Sequence, residues 1–207
     1  MVSTFFRKLK IIAADVNLRN RVLFILGALL VFRLLAAVPI PGIDQNALQQ
    51  FFSGNQFLGL LNIFSGGGLS GLSIVMLGVG PYITASIIMQ LLTIMSPKLK
   101  AMYHEEGDAG RKRFSQYSRA ISVPLAVIQG LGFIVLLESQ GILPNLDTFQ
   151  FIVNLIVITA GSVLLMWIGE LMSEFGIGNG MSLMIFAGIV AGFPNAIQQI
   201  LFTYSPD

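Results

Sequence analysis

Phe57-Leu-Gly-Leu-Leu-Asn-Ile-Phe-Ser-Gly-Gly-Gly-Leu-Ser-Gly-Leu-Ser-Ile-Val-Met-Leu-Gly-Val-Gly-Pro81 lies inside 53 consecutive uncharged residues bounded by Asp44 and Lys98. A straight helix crosses a bilayer with about 20 apolar residues, so this block is too long for one crossing. It is also broken by Ser65-Gly66-Gly67-Gly68, Gly78, Gly80 and Pro81. It therefore divides into a short apolar piece, Phe57 to Phe64, and one full crossing, Ser73 to Met95. The Gly/Ser-rich exit of the short piece leaves backbone N–H and C=O groups that hydrocarbon cannot satisfy. Such backbone has to be buried in protein or line water, and a cavity or pore is implied.

The rest of the chain has the same character. It is 55% hydrophobic and 11% charged, against roughly 25% charged in an average soluble domain, and its apolar residues fall in blocks of membrane-spanning length. The reading is an all-α, multi-pass membrane protein. Five crossings are expected, at 22–38, 73–95, 120–137, 149–172 and 181–204, with a polar loop at 96–119, a glycine-rich turn at 173–180 and a tail at 205–207. The block from Val22 to Val38 is longer than a typical signal-peptide core and contains Arg33, so it reads as a retained first crossing. Arg33 either snorkels along its stem to the headgroups or has a partner. In the leader, residues 1–21, Phe5, Leu9, Ile12 and Val16 recur at helical spacing beside Arg7, Lys8 and Lys10. An interfacial helix and a solvated basic leader both fit that pattern.

Charge placement orients the chain. With the leader inside, the interior segments carry eleven of the twelve Lys and Arg residues, and the exterior segments 39–72, 138–148 and 203–207 carry none. Lys and Arg concentrate on the cytoplasmic side, so the N-terminus is expected there and the C-terminus outside.

Candidates for chemistry are few. There is no cysteine and one histidine, His104, which removes disulfides and Cys/His metal sites. His104, Glu105, Glu106 and Asp108 read as a solvated charged turn. Glu170 and Glu174 share a helical face and could relay protons, but with no basic partner in the adjacent membrane blocks they read as solvated residues at a helix end. No nucleophile, base and orienting group come together, so an enzyme is not expected.

Several stretches carry a resemblance. Asn62-Ile-Phe-Ser-Gly-Gly-Gly-Leu-Ser70, running on to Pro81-Tyr-Ile-Thr-Ala-Ser-Ile-Ile-Met-Gln90, resembles the plug and second helix of the SecY family of protein-conducting channels. Glu106-Gly-Asp-Ala-Gly-Arg-Lys-Arg-Phe-Ser-Gln-Tyr-Ser-Arg119 resembles that family's second cytoplasmic segment. Met166-Trp-Ile-Gly-Glu170, Gly176-Ile-Gly-Asn-Gly180 and Phe186-Ala-Gly-Ile-Val-Ala-Gly192 follow in the family's order, and Pro39-Ile-Pro-Gly-Ile-Asp44 closes the first helix in the same way.

The resemblance implies the first half of a ten-helix channel built from two inverted five-helix halves. It makes Ile83, Ile87, Met181 and Ile185 pore-ring residues, although by composition alone four aliphatic residues would face lipid or a neighbour. It makes residues 57–72 a plug, drawn from Phe57, Leu58, Leu60, Leu61, Ile63, Phe64, Ser65, Gly66, Gly67, Gly68 and Leu69. Arg111, Lys112, Arg113 and Arg119 become a cytoplasmic docking segment, whereas Met181 and Phe175 depart from the family's usual isoleucine and basic residue. Implied partners are SecE, SecG, the SecA motor, the ribosome, signal peptides and nascent polypeptides, the lipid bilayer and the channel's C-terminal half. No cofactor is implied. The implied location is the bacterial inner membrane. A secondary transporter and a small accessory membrane protein are the competing readings.

Overall fold

The computed structural model describes residues 15–40, 71–143 and 146–203, with side chains as far as Phe193. The described helices are α1 (Val16–Ala36), α2 (Gly80–Met95), α3 (Pro97–His104), α4 (Gly107–Ser139), α5 (Thr148–Phe175) and α6 (Gly180–Thr203). The expected plug residues 57–70 and interfacial segment 2–14 lie outside the described residues.

Helix ends differ from the apolar blocks where polar chemistry, which hydropathy does not register, sets them. Helix α1 starts six residues before Val22, because the Asp15 carboxylate accepts from the N–H groups of Asn17 and Leu18 at 2.9 and 3.3 Å and so caps the first turn. Helix α2 starts at Gly80 rather than Ser73. Continuing it backwards would put the Pro81 ring against the Leu77 carbonyl, and Gly78 has a left-handed φ of 58°. Proline is instead suited to the first turn of a helix.

The expected loop at 96–119 is helical: it forms α3 and the first part of α4, and α2 and α3 meet at a bend of 115°. Its Lys, Arg, Gln, Met and Ala residues are good helix formers. Their polarity marks a solvated position, not an absence of structure. Helix α4, with 33 residues, is about 50 Å long and exceeds a hydrocarbon core of roughly 30 Å.

Helix α5 is the centre of the bundle and touches α1, α2, α4 and α6. Small residues permit this. On α4, Ser118, Ser122, Ala126 and Gly130 are buried at four-residue spacing, the pattern that lets helix backbones approach closely in membranes. Large apolar residues face outward, as at Leu23, Leu30 and Leu34 of α1 and Ile128, Ile156 and Trp167 of α4 and α5. By length and apolarity α4 and α5 each suffice to cross a membrane, and the outward apolar surface suits lipid as solvent.

Residues 71–79, of which 71–72 were expected to end the plug and 73–79 to start a crossing, form a chain of tight turns inside the protein. Leu72, Ser73, Val75 and Met76 are at most 2% exposed. The backbone is satisfied locally: Met76 N–H donates to Ser73 C=O at 2.9 Å and Gly78 N–H to Val75 C=O at 2.8 Å. An antiparallel bridge pairs Pro39 with Ser73, with Ile40 N–H donating to Leu72 C=O at 2.9 Å and Ile74 N–H to Val38 C=O at 3.0 Å. The Ser162 hydroxyl of α5 donates to Gly78 C=O at 3.0 Å. Side chains from this segment enter both apolar clusters: Leu72, Met76 and Leu77 join Ile134 and Ile158, while Val75 and Val79 join Phe32, Leu165 and Met184.

Gly161 is the contact point, since a Cβ there would overlap the Ile74 carbonyl. In the complete protein, Gly161→Ala should lower stability by about 1–3 kcal/mol, the range for overpacking, read as a reduced unfolding midpoint in detergent. Gly132→Ala, where a Cβ meets nothing within 4 Å, should not lower it. Equal midpoints for the two variants would mean that 71–79 is not held against α5.

Candidate functional site

The turn segment positions α2 so that one face of it, Tyr82, Ile83, Ser86, Ile87 and Gln90, lines a groove of about 410 Å³. These positions recur at intervals of three and four residues and so share a side of the helix. The opposite wall is the start of α6, with Asn179, Met181, Ser182 and Ile185. The floor comes from Met166, Glu170 and Ser173 of α5 and Ser115 of α4.

All four residues expected in a pore ring line this one groove. Ile83, Met181 and Ile185 are half-buried and pack against the cluster of Phe32, Val75 and Leu165, and Ile87 is 51% exposed. Met181, where isoleucine was expected from the resemblance, lies against Gly169, whose missing side chain makes room for the thioether. An unbranched, flexible side chain suits that narrow space.

The start of α6 is fixed from two sides. Asn179 accepts from Ser182 N–H at 3.2 Å through its side chain, a helix cap. The Ser173 hydroxyl, itself donating to Gly169 C=O at 3.0 Å, accepts from Gly180 N–H at 2.8 Å. The preceding turn rests on α1: Phe175 meets Phe24 edge to face at 6.0 Å, and Arg21 donates to Gly176 C=O at 3.4 Å. Phe175 thus serves packing where the resemblance led one to expect a basic residue.

The groove has a direction. Helix α2 ends where α4 begins, through α3, and α5 ends where α6 begins. Gln90, Ser115, Ser173, Asn179 and Ser182 therefore gather at one end, while Ile83 and Ile185 lie deeper. Polar lining residues are concentrated at that end, where Met181 lies between Asn179 and Ser182, and Tyr82 and Ser86 continue among the aliphatic residues farther in.

Two readings of charged residues change. Glu170, expected to be solvated and without a basic partner, is about one-third exposed and forms an ion pair with Arg119 of α4. Conversely, Arg119, expected in a docking loop, is turned into the bundle, and only Arg111, Lys112 and Arg113 of that set are exposed. The pair escaped sequence reasoning because Arg119 was placed in a loop; a helix through 107–139 puts it one turn from buried Ser122, which faces Met166 of α5 at 3.2 Å. Glu174 lies outside the groove, in a hollow with Asp15 and Arg21. Glu106 pairs with Arg113 at 3.9 Å, both exposed.

Comparison with known proteins supplies the family. A family model described as SecY matches residues 73–205. Among curated relatives, the protein translocase subunit SecY of Streptomyces coelicolor is 42% identical, the alignment taking in 97% of this chain and 48% of that protein. The Pseudomonas aeruginosa subunit is 46% identical over 86% of this chain and 41% of its own length, and that of Synechocystis sp. 46% over 91% and 42%. The chain spans about half the length of the curated relatives it matches. Two solved structures, "The structure of a protein conducting channel" and "Sec61 in the Canine ribosome-channel complex from the endoplasmic reticulum", each superpose with a TM-score of 0.58 at 20% identity. Each likeness covers 81% of this chain and 35% of the other, and shows a shared fold. With a family model over more than half its length and relatives above 40% identity, this chain belongs to the SecY family.

Proposed function

We infer that the chain forms the N-terminal half of a Sec protein-conducting channel, through which unfolded, signal-bearing polypeptides cross a membrane and from which transmembrane segments leave sideways into lipid. The observation that carries this reading is the single groove that Ile83, Ile87, Met181 and Ile185 line together, with polar residues concentrated at one end of it. Apolar side chains at a constriction close a pore by excluding water, and polar groups at the mouth keep the entrance wet. The reading assigns no chemical step to the chain. Of the expected plug, residues 57–70 keep that role on the strength of their sequence, while 71–72 belong to the buried turns.

The groove is one-sided, so this half needs the family's C-terminal five helices to complete the ring. Five crossings of a bacterial inner membrane with a cytoplasmic N-terminus would leave α3 and the start of α4 on its cytoplasmic side. There Arg111, Lys112 and Arg113, all exposed, present a cationic face suited to a ribosome or to the SecA motor. SecE and SecG are the expected membrane partners. A solute transporter built on broken helices normally places charged ligands at the break, and residues 71–79 carry no charge.

Three outcomes follow. Replacing Ile87 by Asn in the complete channel should raise resting ion conductance severalfold and allow export of proteins with defective signals; unchanged conductance would remove Ile87 from the ring. A cysteine at Lys112 should react with impermeant maleimide only from the cytoplasmic side, and labelling from outside would invert the topology. In cells depleted of their own channel, this chain should restore export of a signal-bearing protein only when the C-terminal half is supplied. Rescue by the chain alone would contradict the shared pore.

A further inference from the structure

Among the described residues that line the groove, Glu170 is the one with a charge. Its carboxylate is held by Arg119 Nη2, reaching across from α4. The arginine is incompletely satisfied, because its Nε is buried without a hydrogen-bond partner. The two side chains are 32% and 30% exposed, and a partly exposed pair of this kind contributes little net stability. Exchange of Arg119 for another cation therefore costs little.

An incoming chain has something to gain by that exchange. Its cation would meet Glu170 at the polar end while its next residues reach Ile83, Ile87, Met181 and Ile185, of which Ile87 is half-exposed. Covering apolar surface favours binding in proportion to the area removed from water, and this gain adds to that of the new ion pair. The exposed cations of α4, Arg111, Lys112 and Arg113, face solvent, where salt screens their repulsion.

We propose that Glu170 is the receptor for a cationic residue of the arriving polypeptide and that Arg119 is its internal competitor, released when the polypeptide binds. The ligand is a Lys, Arg or α-amino group followed by an apolar run. That is the order of charges and apolar residues in an export signal, with its basic leader and apolar core of 7–15 residues. The proposal rests on the channel reading and adds to it a selection step: the groove reads charge first and apolarity second.

The test uses the complete channel in inverted membrane vesicles and two precursors that differ only in the signal leader, one with net charge +3 and one neutral. The readout is the ratio of their export rates. Glu170→Gln should lower that ratio, by at most about fivefold, the upper size of one partly exposed ion pair. The double exchange Arg119→Glu with Glu170→Arg keeps the pair and reverses the groove's charge, and should lower the ratio further. A purely structural pair predicts the opposite pattern: both precursors slowed equally by Glu170→Gln, both restored by the exchange, and the ratio constant. That outcome would overturn the proposal.

Should Glu170→Gln fail to assemble, carbodiimide coupling in the unaltered channel decides the matter. An arrested precursor with a leader lysine should form an amide to Glu170, and the same precursor with that lysine replaced should not; no coupling in either case would overturn the proposal. If the ratio is constant while Ile87→Asn still raises conductance, the receptor role fails and the channel reading stands. If neither effect appears, both fail.

Discussion

The seating of residues 71–79 on α5 is the contact on which the remaining geometry depends. A non-helical stretch in a membrane protein survives only if something other than lipid satisfies its polar backbone. Here internal turns, the bridge to Val38 and Ile40, and the Ser162 hydroxyl do so. Gly161 lets the segment come close enough for this to work. Because the turns end at Gly80, Pro81 can begin α2, and the start of α2 sets which of its faces turns toward α6.

The groove lies beside the broken crossing and is lined by the helix that follows the break. The turns at 71–79 support the start of α2 and contribute no lining residue themselves. Helix α2 stands beside α5 with Tyr82, Ser86 and Gln90 on the same side as Ile83 and Ile87. The serine contacts on α5 and the Asn179 cap hold α6 opposite. The concentration of polar residues at one end then follows from the order of residues along two helices that run in opposite directions.

Much of this was legible in the residues. The 53-residue uncharged run with glycines and Pro81 told of a broken crossing and of backbone needing shelter, and the clustering of Lys and Arg told which segments share a side. The pairs Ile83/Ile87 and Met181/Ile185 could be placed on helical faces by spacing alone. What escaped was whatever depends on polar residues being ordered. The charges of segment 96–119 signal solvent and so read as a loop, yet its side chains favour helix. Its helical form brings Arg119 to Glu170 across 51 positions of sequence. No local pattern reports such a distance. The turns at 73–79 read as helix because hydropathy does not distinguish a buried turn from a buried helix.

The claim that the groove is a polypeptide path is tested most directly by contact with a polypeptide in transit. Cysteines placed singly at Ile83, Ile185 and, as an outward-facing control, Ile128 of the complete channel can be challenged with a secretory chain arrested midway and carrying one cysteine. Disulfide capture at Ile83 and Ile185, with none at Ile128, is the result expected of a channel wall. Capture at Ile128 alone, or at none of the three, would show that translocating chains do not pass along this face.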